Sequence, residues 1–395
     1  MDRRKFIKNS ALASSLFLVP SFVKAFESVA TKQLGYKRLV IIQLAGGNDG
    51  LNTIIPHNND LYYNARPRLA ITKDIIKLND DLGFHPSLAP LRNLYDKGEL
   101  SIINNVGYPN PVRSHFRSMD IWQTASGSDE YLQSGWLGRY LDKYGKKPYN
   151  AIEMDEQLSL AMKGEHFNGI ATNDYKVLHR TAKDPYFKNV LNHYNDTHLS
   201  EHNLGYLYQT MIEAKSSAKY IYENTQVKLS QQDYPQNGFG KQLKNVAQFI
   251  NSGLDTKVFY TSLGGFDTHA NQQNKQSRLL SQYAESVSAF VKDLKRNETF
   301  EDTLILTFSE FGRRVKQNAA NGTDHGAANN VFIIGKQLKK AGFYNDLASL
   351  NDLDTNGDLK YSIDFRSVYA TILSQWMDVS TEGILPSKQK SLNFI

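Results

Sequence analysis

The sequence predicts a doubly wound α/β domain: a mainly parallel sheet, helices on both faces and a helical insertion. Three observations carry this. Short, nearly continuous apolar runs recur along the chain, as strands covered on both faces require. Segments with apolar residues at helical spacing fall between them. Clusters of Gly, Asn, Asp, His and Arg border these runs, and an open α/β sheet binds ligands at the carboxyl ends of its strands.

The strand candidates are Arg38–Ala45 (RLVIIQLA), Leu100–Val106 (LSIINNV), Lys257–Leu263 (KVFYTSL), Thr303–Ser309 (TLILTFS) and Asn330–Ile334 (NVFII). His85–Lys97 reads as a helix, with Pro86 near its start and Leu88, Leu91, Leu94 and Tyr95 as its apolar positions. Ser114–Thr124 follows the second strand. Lys241–Asn251 places Leu243, Val246, Ala247 and Ile250 on one face, and Gln272–Lys295 does the same with Leu279, Leu280, Tyr283, Val287, Phe290, Val291 and Leu294. Ser367–Met377 is the last helix expected. Residues 127–238 are polar, rich in Tyr, Asn, His and Lys, and show no strong strand, so they read as a helical insertion or cap on the sheet.

The chain has 395 residues, 40% apolar and 22% charged, a globular composition. Its net charge of +6 is concentrated at the N-terminus. Residues 1–25 hold five of the 46 basic side chains and one of the 40 acidic ones, so the remainder carries a surplus of only two. The charge therefore gives no support for a nucleic-acid-binding surface. The absence of cysteine rules out disulfides, thiolate nucleophiles and Cys-type zinc sites, and it suits an oxidising destination. Any metal must be held by His, carboxylates or other oxygen ligands.

Arg3-Arg4-Lys5-Phe6 followed by Lys8 resembles a twin-arginine signal. The apolar stretch Ala11–Val19 is too short to span a bilayer and fits a signal h-region, and Val23-Lys24-Ala25 ends in a small residue suited to cleavage. Residues 1–25 are therefore expected to be a signal that engages the twin-arginine translocon. Residues 26–395 would then form a soluble or peripheral protein in the periplasm or otherwise exported.

The expected strand ends carry the chemistry. Asn48 and Asp49 follow the first strand after two glycines, and Arg113, Ser114 and His115 open the helix after the second. Asp267 and His269 follow Gly264-Gly265 after the third. Glu310 and Arg313 follow the fourth, and His325 precedes the fifth. Asp267 and His269 share a face if their loop is extended, so both can reach one ion. Imidazole with carboxylate suits zinc, manganese or iron. Ser114 stands at a helix N-terminus, where backbone N–H groups favour an anion. Each feature also has a plain structural reading: Ser114 as an N-cap, and Gly46–Gly50 with Asn48 and Asp49 as a tight turn. Asp352–Asp358 resembles the start of an EF-hand loop, but the twelfth position is Ile363 rather than Glu, so a polar turn before the last helix is expected there.

Five ordered segments, LAGGNDGLNTIIP, RSHFRSMDIWQTA, GGFDTHANQ, TFSEFGRRV and TDHGAANNVFIIG, resemble the family catalogued as domain of unknown function 1501. That family in turn resembles the alkaline-phosphatase superfamily, which includes sulfatases and cofactor-independent phosphoglycerate mutases. The resemblance implies an alkaline-phosphatase-like fold and one or two divalent ions such as zinc or manganese. Ser114 takes the place of the nucleophile, and Asp267, His269 and His325 hold one metal. Glu310, with Asn48 or Asp49, stands where ligands of a second metal are expected. The pattern departs from the superfamily there: Glu310-Phe311 replaces an Asp-His pair, and Asn48 and Asp49 fall a few residues late. The function implied is a metal-dependent hydrolase of phosphate or sulfate esters on an anionic small-molecule or glycan substrate, with Arg113 or Arg313 holding anionic oxygens. The alternative is a non-catalytic exported binding or assembly protein on the same fold.

Overall fold

A computed structural model describes residues 36–185, 189, 203–226 and 228–395. The leader lies outside the described residues. Among the described residues the main sheet has nine strands: β1 (Arg38–Ala45), β2 (Leu100–Gly107), β3 (Ala151–Glu153), β4 (Ile170–Ala171), β5 (Val258–Gly264), β6 (Thr303–Phe308), β7 (Asn329–Ile334), β8 (Gly342–Phe343) and β9 (Ile363–Asp364). Their order is β8-β2-β7-β6-β1-β5-β3-β4, and β9 also pairs with β2. All pairings are parallel except those of β7, which runs antiparallel to both β2 and β6.

The direction of β7 matters for the site. Its first residue lies at the same sheet edge as the last residues of β1, β2, β5 and β6. The segment before β7 therefore meets the segments after the other four, and His325 arrives beside Asp267 and Glu310.

Alternate residues of the central strands feed two cores. Val40, Ile42 and Leu44 of β1 join Phe259, Ile305 and Phe332 on one face, beneath α5 (Gly238–Asn251) and α6 (Gln272–Arg296). Leu39 and Ile41 join Tyr260, Leu306 and Ile333 on the other, beneath α1 (His115–Thr124), α2 (Trp136–Tyr144) and α7 (Phe365–Thr371). Burial on both faces is why these strands read as continuous apolar runs. Trp122 of α1 lies stacked between Phe308 and Phe365, with ring centroids 4.6 and 4.3 Å away. Ser118 Oγ donates to the carbonyl of Glu310 at 2.6 Å. These contacts fix the start of α1 against the end of β6.

Four expectations change. The fifth strand lies in the sheet but reverses direction. The 127–238 region is not wholly a cap: besides α2, α3 (Tyr175–Ala182) and α4 (Asn203–Thr225), it supplies β3 and β4, which extend the main sheet beside β5. Lys37–Ile395 accordingly make one compact unit. The segment 85–97 is a 3₁₀ helix (Pro86–Leu91) running into a short α-helix (Arg92–Asp96), because Pro90 removes an interior donor. The last helix ends in a π-turn over Ile372–Trp376. A small antiparallel sheet, Ile54–Ile55 with Gly83–Phe84 and Ile76–Lys77, was not foreseen. Among the described residues no helix is long and apolar enough to cross a membrane.

Candidate metal centre at the carboxyl edge of the sheet

The turn after β1 needs its glycines. Gly46 has φ of 116° and Gly47 of 68°, the region open to glycine. A Cβ on Gly46 would lie 2.4 Å from the Asp267 nitrogen, and one on Gly47 would lie 2.4 Å from the Phe311 ring. The β1 turn thus passes directly under the Asp267 loop. Phe311 in turn packs its ring 4.8 Å from the rings of both His115 and His325.

Three histidines converge on one carboxylate oxygen. Asp267 Oδ1 lies 3.3 Å from His115 Nε2, 3.0 Å from His269 Nε2 and 3.4 Å from His325 Nε2. The Nε2 atoms of His269 and His325 are 2.9 Å apart. Each ring has its other nitrogen against an acceptor: His115 Nδ1 on Glu310 Oε1 at 2.8 Å, His269 Nδ1 on Asp324 Oδ1 at 3.3 Å, and His325 Nδ1 on the Arg113 carbonyl at 2.7 Å. Carboxylates and carbonyls only accept, so each Nδ1 carries a hydrogen, and a ring in its neutral form turns an Nε2 lone pair inward. The buried His115 Nε2 makes no hydrogen bond. Three lone pairs and a carboxylate facing one another repel unless a cation lies among them.

The spacing fits a metal. Tetrahedral bonds of about 2.0–2.1 Å place ligand atoms about 3.3 Å apart; four of the pairs here lie 2.9–3.4 Å apart, so an ion would have to draw the remaining atoms inward. The partners on each Nδ1 are those that orient histidine ligands and set their tautomer. His115, Asp267 and His325 keep their ligand atoms within 4.8 Å of one another. Asp267 and His269 are about half exposed, so the centre opens to solvent on their side.

The electrostatics keep the carboxylate ionised and shift the histidines in opposite directions. Burial pushes the Asp267 carboxyl up, but the Arg313 hydrogen bond and charge, with His115 and His269, outweigh it and hold the group far below the usual carboxylate range. The hydrogen bond to Glu310 raises His115 against the opposing effect of burial. Burial lowers His325, and the charges of His115 and Arg313 add to that.

The other expected site residues fall elsewhere. Ser114 is the exposed N-cap residue of α1, but its hydroxyl makes no capping bond. It lies between Arg113, whose carbonyl orients His325, and His115. Glu310 is fully buried and reaches the centre through His115, its Oε1 also accepting from the Gly46 N–H at 2.8 Å. It orients His115 and does not reach the Nε2 cluster itself. Asp49 has its carboxylate committed to Arg66 at 2.6 Å and to Gln272 and Asn52, away from the histidines. Asn48 is buried, with its side chain on Thr53 at 2.9 Å. Both are structural, which corrects their reading as ligands.

The two arginines are also committed. The Arg313 side chain is fully buried, and its donors go to the carbonyls of Gly46, Gly47, Phe266 and Thr323 and to Asp267. Arg113 is held by Asp358 and Asp354, the acids of the EF-hand-like turn. Arg313 has no donor left for a substrate anion, and Arg113 has its Nε and Nη2 taken by these acids. His115 was the member of the cluster missed. Its position beside Ser114 at a strand end was the available signal. Asp324, which holds His269, was missed too.

The sequence matches the family described as "Protein of unknown function (DUF1501)" over residues 36–385. The chain belongs to this family. No curated protein matches it. Among solved structures it is similar to the lipoteichoic acid synthase LtaP from Listeria monocytogenes, at 10% identity and TM-score 0.44, over 91% of this chain and 76% of that one. It is also similar to the C-terminal periplasmic domain of EcEptC from Escherichia coli in complex with Zn, at 11% identity and TM-score 0.41, over 91% and 92%. A third is the phosphonate monoester hydrolase SpPMH from Silicibacter pomeroyi, at 10% identity and TM-score 0.42, over 90% and 76%. No residue role follows from likenesses this low.

The orienting carboxylate has a measurable consequence. Glu310→Gln should lower metal affinity about ten- to hundredfold, the usual cost of losing such a partner, in competition with a chromophoric chelator. Unchanged affinity would mean that Glu310 does not act on the metal through His115.

Proposed function

We propose that this family member is an exported, metal-dependent enzyme that cleaves phosphate or sulfate esters with Ser114 as nucleophile. The observation that carries the reading is the convergence of three Nε2 atoms on Asp267 Oδ1, each ring fixed from behind at Nδ1. A divalent ion held by His115, Asp267, His269 and His325 would supply Lewis-acid polarisation of the ester. Ser114 leaves its hydroxyl uncapped at the start of a ten-residue helix, beside a ligand and next to N–H groups that lack intrahelical partners. With Arg113 and Arg313 committed, those N–H groups take the anion-holding role. Attack by Ser114 Oγ on phosphorus or sulfur gives a seryl ester and releases the alcohol. Water then frees the serine and the inorganic anion.

A panel of aryl phosphates and sulfates, assayed with metal-loaded protein, tests this. Turnover that a chelator abolishes and the metal restores is the expected result. A protein that binds the metal but turns over none of the esters would favour the second reading, a binding or assembly protein. The commitment of both arginines speaks for that reading.

Export by the twin-arginine route belongs to the same proposal. Its support is Arg3-Arg4 ahead of a short apolar run. Replacing both by Lys should leave the protein in the cytoplasm, and normal periplasmic accumulation of the double variant would contradict the route.

A further inference from the structure

Four protein ligands fill a tetrahedral shell, as in structural metal sites, whereas a catalytic site keeps three and leaves a position for water or substrate. A centre that cleaves esters therefore needs one of its four residues to let go, and the four are not held alike. His115 rests through Nδ1 on the fully buried Glu310 at 2.8 Å, and His325 rests on the Arg113 carbonyl at 2.7 Å. Both rings pack against Phe311, and their side chains are only 24% and 21% exposed. Asp267 is tied to the buried Arg313 at 2.7 Å. His269 is held least. Its side chain is 46% exposed, and its Nδ1 meets Asp324 Oδ1 at 3.3 Å, on a partner that is itself 50% exposed. A contact between two such exposed groups is worth at most about 1 kcal/mol.

Spacing marks the same residue. His269 Nε2 lies 3.0 Å from Asp267 Oδ1 and 2.9 Å from His325 Nε2, both closer than the roughly 3.3 Å of a tetrahedral pair. His115 and His325 stand at 3.3 and 3.4 Å from the same oxygen. The main chain of His269, by contrast, is pinned. Its carbonyl accepts from Asn318 Nδ2 at 2.9 Å, and the Thr268 carbonyl accepts from the Thr323 N–H at 3.3 Å. Gly322 packs so close that a Cβ there would lie 2.2 Å from the His269 carbonyl. The ring can thus turn to another χ1 rotamer, toward solvent, without the loop opening.

We infer that His269 is the exchangeable ligand: it closes the centre at rest and yields its position to the anionic oxygen of the substrate, while His115, Asp267 and His325 keep the ion. The inference rests on the ester-cleaving reading and divides the labour within its site. The three residues that stay have their ligand atoms within 4.8 Å of one another. The position that His269 gives up lies on the half-exposed side of the centre, from which a substrate arrives.

The test is nitrogen NMR of the zinc-loaded protein labelled with 15N-histidine, titrated with inorganic phosphate. Before phosphate, the Nε2 signals of His115, His269 and His325 should all carry the metal-bound shift. At saturation only the His269 signal, identified by its loss in His269→Ala, should move to the value of free imidazole. His269→Ala should keep its zinc through dialysis and bind phosphate at least as tightly as the wild type, whereas His325→Ala should lose the zinc. A His269 signal that stays metal-bound at saturating phosphate overturns the exchange, as does one that is free before phosphate is added. So does a folded His269→Ala protein that loses its zinc as His325→Ala does. In each of these cases phosphate still binds the zinc-loaded wild type, and the ester-cleaving reading stands. If the zinc-loaded wild type binds neither phosphate nor sulfate, that reading fails and takes the exchange with it.

Discussion

Ser114→Ala should lower kcat/KM for any ester the protein turns over by at least about a thousandfold, or about 4 kcal/mol of transition-state stabilisation. The variant should melt at the wild-type temperature and bind the same amount of metal. The structure sharpens this. A capping serine changed to Ala commonly costs about 1 kcal/mol, but the Ser114 hydroxyl makes no cap hydrogen bond, so that loss should be absent. Stability and activity therefore separate cleanly. Equal turnover in wild type and variant would remove Ser114 from the mechanism and leave the metal centre without its nucleophile.

Arg313→Ala should fail to fold or lose most of its stability. The fully buried guanidinium holds four main-chain carbonyls, from the β1 turn, the Asp267 loop and the segment before β7, together with Asp267 itself. Each buried acceptor left unpaired costs about 1–3 kcal/mol, and the half-exposed Asp267 adds little because solvent screens it. The sum approaches the whole stability of an ordinary domain, about 5–15 kcal/mol. Arg313→Lys discriminates the roles. An ammonium cannot reproduce the planar fork, so it too should destabilise strongly, as read by chemical denaturation. If Arg313→Lys folded normally and lost only turnover, Arg313 would be a substrate contact after all.

Much of this architecture was legible because burial on both faces leaves a simple mark, a run such as RLVIIQLA or TLILTF without alternation. Strand direction leaves none. Nothing in NVFII distinguishes parallel from antiparallel pairing, so β7 was placed in the sheet without its reversal being foreseen. Two- and three-residue strands such as Ile170–Ala171 and Gly342–Phe343 are too short to show any period. At the site, Asp267, His269 and His325 stood out because they border strands. His115 was masked as the second residue of a plausible helix start. The arginines misled because a cation at a strand end reads as an anion grip. Their real partners are distant in sequence: Asp354 and Asp358 lie 241 and 245 residues from Arg113. Asp49 misled for the same reason, since only the fold brings Arg66 and Gln272 to its carboxylate.

The central claim is that His115, Asp267, His269 and His325 hold one divalent ion. Metal content after dialysis, joined to X-ray absorption at the metal edge, tests it most directly. The wild type should retain one ion per chain, with imidazole nitrogen and carboxylate oxygen at about 2.0–2.2 Å. His325→Ala and Asp267→Ala should lose it while remaining folded. A folded wild type that retains no metal, or variants that both keep full occupancy, would contradict the account.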